Sequence, residues 1–147
     1  MTWNAFIPYK VQNKNIIKLT IPFYLHKVGA GFPSPATDYI EDDIDLNSHL
    51  ITNAPATFII RVQGKSMAKV GIYDGDLLIV DKSIDPRNYS TVIANVNEEL
   101  VVKTLVKEKG VSHLTSGSKD ILDKINLTEN PEIVVWGVVT YVIHKQQ

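Results

Sequence analysis

At 147 residues, with 44% hydrophobic and 21% charged side chains, the chain is long enough to bury a core and too apolar to be disordered. A net charge of −1 with no basic run argues against binding nucleic acid through its phosphates. The lack of cysteine excludes disulfides, thiol catalysis and cysteine-based zinc sites.

Residues 1–10 lack the charged start and apolar run of a signal peptide, and no stretch approaches the roughly 18 apolar residues of a membrane span. The expectation is a soluble, cytoplasmic protein. The first region, to about residue 37, holds an apolar but irregular segment, Ile16 to Leu25. It runs into Val28-Gly29-Ala30-Gly31-Phe32-Pro33-Ser34-Pro35. Alternating glycine and proline break helix and disfavour a central strand, so an extended arm leading to a hinge is expected. Ile40 to Ile51 is the one helical candidate, on the loose spacing of Ile40, Ile44 and Leu50.

From Thr57 onward the chain is a series of short β-branched runs: Thr57 to Val62, Leu77 to Asp81, Thr91 to Val96, Leu100 to Leu105 and Ile133 to His144. Turn signals separate them at Asp74-Gly75-Asp76, Asp85-Pro86 and Asn97-Glu98-Glu99. Strands this short and frequent predict a mainly β, mostly antiparallel small domain.

Three features could carry chemistry. Gly64-Lys65-Ser66-Met67 directly follows a strand, which places Ser66 at a corner where its hydroxyl meets a cleft and nearby backbone N–H groups stay free. A nucleophilic serine needs both. Read alone, the tripeptide is an ordinary turn, and it lacks the upstream glycine of a phosphate loop. In Leu100-Val101-Val102-Lys103-Thr104-Leu105 the strand period puts Lys103 on one face with Val101 and Leu105. Apolar surroundings disfavour an ammonium, and a neutral lysine can take the proton of a serine hydroxyl. Most strand lysines, however, simply reach water. The Ala30–Gly31 bond has small side chains on both sides and suits entry into a narrow protease cleft, or a plain linker.

In order along the chain, several stretches together resemble the LexA/UmuD self-cleaving Ser-Lys peptidase family, related in fold to signal peptidases. They are Gly31-Phe32-Pro33-Ser34-Pro35-Ala36, Asp38-Tyr39, Ile44-Asp45-Leu46-Asn47, Gly64-Lys65-Ser66-Met67, Gly75-Asp76-Leu77-Leu78-Ile79-Val80-Asp81, Leu100-Val101-Val102-Lys103 and Trp136-Gly137-Val138-Val139. The resemblance implies a small LexA/signal-peptidase-like β domain over 31–147, with 31–56 as its leading linker and 1–30 as an arm removed by self-cleavage. It implies Ser66 as nucleophile, Lys103 as general base, the backbone N–H groups of Ser66 and Met67 as oxyanion donors, and Ala30–Gly31 as the bond cut. It also implies a DNA-damage (SOS) regulator without metal or cofactor. The expected partners are a second copy in a homodimer, a RecA–single-stranded DNA filament that activates cleavage, and a UmuC-like Y-family translesion polymerase subunit. Neither membrane contact nor direct sequence-specific DNA binding is expected. The alternative is a non-cleaving interaction module of the same fold. Lys65 departs from the acidic or small residue that many relatives carry before the serine.

Other signals carry less. Glu41-Asp42-Asp43 and Asp45 lack calcium-loop spacing and read as a solvated acidic face. His26, His49, His113 and His144 have no zinc-type spacing. Asp74 and Asp76 read as turn residues, and Trp136 as a core or dimer contact.

Overall fold

Strand is the prevailing conformation among the residues that the computed structural model describes, which are 20–24, 28–31, 41–117 and 124–147. The chain divides into two units, Met1–Thr52 and Asn53–Gln147.

In the first unit, β1 (Ile21–Tyr24) pairs antiparallel with β2 (Glu41–Ile44), Ile21 opposite Ile44. The arm therefore contains a paired strand rather than extended chain alone. The helix expected over 40–51 is also shorter. Its first part is β2, and α1 covers only Leu46–Leu50. Asp45 sets that boundary, because its carboxylate accepts from the Asn47 N–H and the Ser48 hydroxyl, both at 3.0 Å. Such an N-cap starts a helix after itself, not four residues earlier. Ala30 and Gly31 lie exposed in the connection from β1 to β2, outside any strand. Phe32 to Ile40, and the segment before Thr20, lie outside the described residues.

The second unit is a seven-stranded sheet in the order β3-β4-β9-β5-β6-β7-β8, every neighbouring pair antiparallel. The strands are β3 (Thr57–Arg61), β4 (Leu77–Asp81), β5 (Thr91–Val96), β6 (Glu99–Glu108), β7 (Val111–Thr115), β8 (Ile125–Asn126) and β9 (Val134–Ile143). The mainly β expectation holds, as do the five expected strands to within a few residues. Strands β7 and β8 were not expected, since Ser112, His113 and Asn126 interrupt their apolar runs.

Two tight turns arrange the centre of this sheet. Asn97 and Glu98 have φ of 51° and 65° between β5 and β6, and Lys109 and Gly110 have φ of 50° and 77° between β6 and β7. Positive φ at both central residues of a two-residue loop is the type I′ geometry, whose twist matches that of the strands. Val96 thus faces Glu99, Glu108 faces Val111, and the register between is set.

The sheet buries apolar residues on both faces. Along β5, Ile93 joins a cluster with Val62, Met67, Ile72, Leu78 and Val80. Its neighbours Val92 and Ala94 join Leu105, Leu114 and Val138. Trp136 packs on the first cluster, with its ring 5.1 Å from that of Phe58 and the Lys82 ammonium 4.8 Å above it. It is a core contact, in keeping with one of the two roles expected for it. Strand β9 carries two register shifts, with Thr140 and Trp136 as the extra residues. Among the described residues no helix is long and apolar enough to cross a membrane, and no group of acidic or histidine side chains could hold a metal.

Gly137 lies beside the second shift for a steric reason, since a Cβ there would stand 2.6 Å from Cγ1 of the fully buried Val80. Gly137→Ala should therefore destabilise the chain by about 1–3 kcal/mol, the usual cost of overpacking, read as a lower urea midpoint.

Candidate active site

The segment between β3 and β4 is a loop closed at its neck by backbone. Val62 N–H donates to the Asp76 carbonyl and Gly75 N–H to the Val62 carbonyl, both at 2.8 Å. The Arg61 guanidinium donates to the Gly75 carbonyl at 3.1 Å. Two carboxylates tie the interior. Asp74 accepts from the Gly64 N–H at 2.7 Å, and Asp76 accepts from the Tyr73 N–H at 2.8 Å. Asp74 and Asp76 do sit in a turn, as expected, but their side chains also hold the loop's shape.

Ser66 and Met67 occupy the crown of this loop and differ in burial. Met67 is 3% exposed and anchored in the first apolar cluster, whereas Ser66 faces solvent. The Met67 carbonyl accepts from Val70 and Ile72, which shapes the 3-10 turn Ala68–Val70. Among the described residues, the backbone N–H groups of Ser66 and Met67 donate to no protein acceptor. An exposed hydroxyl beside two free N–H donors is the local arrangement an acyl-transfer nucleophile requires.

Lys103 stands in β6 opposite Val92, half-buried on the face it shares with Leu105, as its strand position implied. Its ammonium donates to the Ser116 hydroxyl at 2.9 Å. Among the described residues this, and not Ser66, is its hydrogen-bond partner. The β6–β7 register explains the contact, because one step beyond the Thr104–Thr115 pair brings Ser116 opposite Lys103. The next residue, Gly117, has φ of 75° and leaves no space for a side chain. A Cβ there would stand 2.6 Å from Val70 Cγ1, in the turn that follows Ser66. The segment after β7 therefore touches both Lys103 and the turn that follows Ser66. Ala30 and Gly31 belong to the first unit.

Sequence reading missed Ser116, Gly117 and the pairing of Asp76 with His144. Ser116 was available in principle, whereas the packing of Gly117 on Val70 was not. A Lys-Gly two-residue turn at 109–110 fixes that Ser116, just past β7, faces Lys103. The third was not, since His144 Nδ1 approaches Asp76 Oδ1 to 2.6 Å across 68 residues of chain.

Asp76, 2% exposed, has its carboxyl held below the usual range, first by the Tyr73 N–H and then by the hydrogen bond and charge of His144, against the opposing effect of burial. A carboxyl depressed on folding adds stability above its unfolded value, near about 4, and that stability is lost as pH falls through the lower folded value. Urea unfolding should therefore become easier on acidification below about pH 4. Asp76→Asn should lower stability at neutral pH and remove this part of the acid dependence.

Known proteins resemble this chain over most of its length. Residues 22–140 match the family described as Peptidase S24-like. Protein ImpA of Salmonella typhimurium is 41% identical over 126 residues, spanning 84% of this chain and 83% of its own. Protein SamA of Salmonella typhimurium strain LT2 is 38% identical over 130 residues, 88% of this chain and 89% of its own. The LexA repressor of Acetivibrio thermocellus is 35% identical over 123 residues, 84% of this chain but 55% of the repressor. With a match that runs through both units and relatives aligned over most of their length, the chain belongs to the Peptidase S24-like family of self-cleaving serine peptidases.

Proposed function

We propose that this protein is a UmuD-like self-processing serine peptidase that cuts its own Ala30–Gly31 bond with Ser66 and Lys103. The observation that carries the reading is the exposed Ser66 hydroxyl beside the free N–H groups of Ser66 and Met67, on a loop pinned by Asp74 and Asp76. The family match and the half-buried Lys103 add to it.

The chemistry follows from these groups. Neutral Lys103 takes the Ser66 proton as Oγ bonds to the Ala30 carbonyl carbon and the carbonyl electron pair moves onto oxygen. The Ser66 and Met67 N–H groups receive that oxyanion. On collapse the carbon–nitrogen bond to Gly31 breaks, and the lysine returns its proton to the leaving amine. Water then attacks the ester, with Lys103 again as base, and releases Ala30 as a carboxylate.

In this reading residues 1–30 are the arm removed and 31–147 the processed domain, which acts as a homodimer in an error-prone translesion polymerase assembly after DNA damage. A RecA–single-stranded DNA filament accelerates the cut. The apolar side chains of Ile59, Tyr141 and Ile143, each more than 40% exposed on one face of β3 and β9, support self-association.

Intact-mass measurement of the purified chain between pH 7 and pH 10 tests the proposal. A product beginning at Gly31 should accumulate faster as pH rises and more lysine is neutral. Ser66→Ala and Lys103→Ala should each slow it by at least about 10³-fold. A chain that stays whole throughout, and with RecA and single-stranded DNA added, would favour the non-cleaving interaction module.

A further inference from the structure

We propose that Ser116 is a positioning residue for the self-cleavage reaction: its hydroxyl accepts one N–H of Lys103 and thereby aims the amine's lone pair. The inference rests on the Ser66–Lys103 reading.

Four observations carry it. The Ser116 hydroxyl is 2.9 Å from Lys103 Nζ. Ser116 is 8% exposed, so water competes little for either partner. The contact is built by register, since the two residues face one another one step past the end of the β6–β7 ladder. Finally, Gly117 packs against Val70 without room for a Cβ, and its N–H donates to Thr115 Oγ1 at 3.3 Å. The Ser116–Gly117 turn thus touches the base on one side and the turn following Ser66 on the other.

The geometry of an amine gives this contact its consequence. Neutral Nζ has two N–H bonds and one lone pair in tetrahedral array on a flexible four-carbon stem. Left unanchored, the lone pair samples many directions. With one N–H committed to Ser116, rotation about the terminal carbon–nitrogen bond is restricted and the lone pair keeps a defined direction. The hydroxyl also stabilises the ammonium that forms when the proton arrives, because it accepts a stronger, charge-assisted hydrogen bond from that state than from the neutral amine. Among the described residues the hydrogen-bond partner of the Ser116 hydroxyl is Lys103, so its effect on the reaction runs through that residue.

The test follows self-cleavage of the full chain against pH for the parent, Ser116→Ala and Ser116→Thr, with thermal unfolding of each. Ser116→Ala should lower the high-pH plateau about 10- to 100-fold, the scale of a misplaced catalytic group. It should also move the midpoint of the profile to lower pH, because the ammonium loses an acceptor. Ser116→Thr, which keeps the hydroxyl, should recover most of the rate. An independent readout uses the Ser66→Ala chain, which stays uncut: titration of the Lys103 Cε resonance should shift to lower pH when Ser116→Ala is added. Ser116→Cys, a similar side chain with a weaker acceptor, replaces Ser116→Ala if the latter does not fold. Unchanged profiles and coincident titrations, in a parent that Ser66→Ala and Lys103→Ala both silence, would overturn the role of Ser116 alone. A parent that does not cleave, or one that cleaves without Ser66, would instead overturn the reading on which it rests.

Discussion

The register of β6 between its two neighbours is the constraint on which the rest of the site depends. Both of its hairpins close through two-residue turns, and three of the four turn residues, Asn97, Glu98 and Lys109, hold positive φ without being glycine. Glu98 and Lys109 accept local strain that costs on the order of 1 kcal/mol or more each. In return β6 cannot slide. A slip of one residue would exchange its faces, turning Val102 away from the first cluster and moving Lys103 away from Ser116. An ammonium driven into apolar surroundings without a partner is costly, so the burial pattern penalises the same slip. Turn geometry and burial thus select one register, and that register puts the lysine beside a hydroxyl.

The loop bearing Ser66 solves a different problem. It exposes a serine beside two backbone donors that have no protein acceptor among the described residues, although most backbone N–H groups in folded chains are paired. Its stability comes from below and from the sides. Met67 is sunk in the first cluster directly beside Ser66, and the neck is sealed by the Val62, Gly75 and Asp76 backbone. Asp74 and Asp76 tie the remaining turns, with His144 reaching Asp76 from beyond the end of β9. Met67, Asp74 and Asp76 therefore fix the loop while Ser66 stays exposed.

In the first unit, the Ala30–Gly31 bond falls within the connection from β1 to β2. A cut there converts a hairpin held by its own chain into two segments joined, among the described residues, by four residue pairs. So short a two-stranded pairing is marginal by itself, and losing the tether removes the high effective concentration that favours it. Processing by the proposed reaction would therefore loosen β1 from β2 as well as shorten the chain.

Much of this was legible in order along the sequence. The β-branched runs located β3, β4, β5, β6 and β9, because alternation and turn residues are local properties. The Gly-Lys-Ser-Met corner and the lysine on the Leu105 face of β6 were legible for the same reason. The helix over 40–51 failed because the spacing of Ile40, Ile44 and Leu50 carries no information about the cap. The Asp45 carboxylate, bound to Asn47 and Ser48, decides where the helix begins. Strands β7 and β8 escaped notice because pairing, β7 with β6 and β8 with β7, rather than their own composition holds them extended. By itself, then, the sequence determined the fold class, the turns at 74–76 and 97–99 and the residue types able to do acyl transfer. Tertiary structure alone decided that Asp76 meets His144 and that Gly117 yields its Cβ space to Val70. Those contacts join residues dozens of positions apart, and no period or propensity encodes a meeting that only the packing of the whole sheet creates.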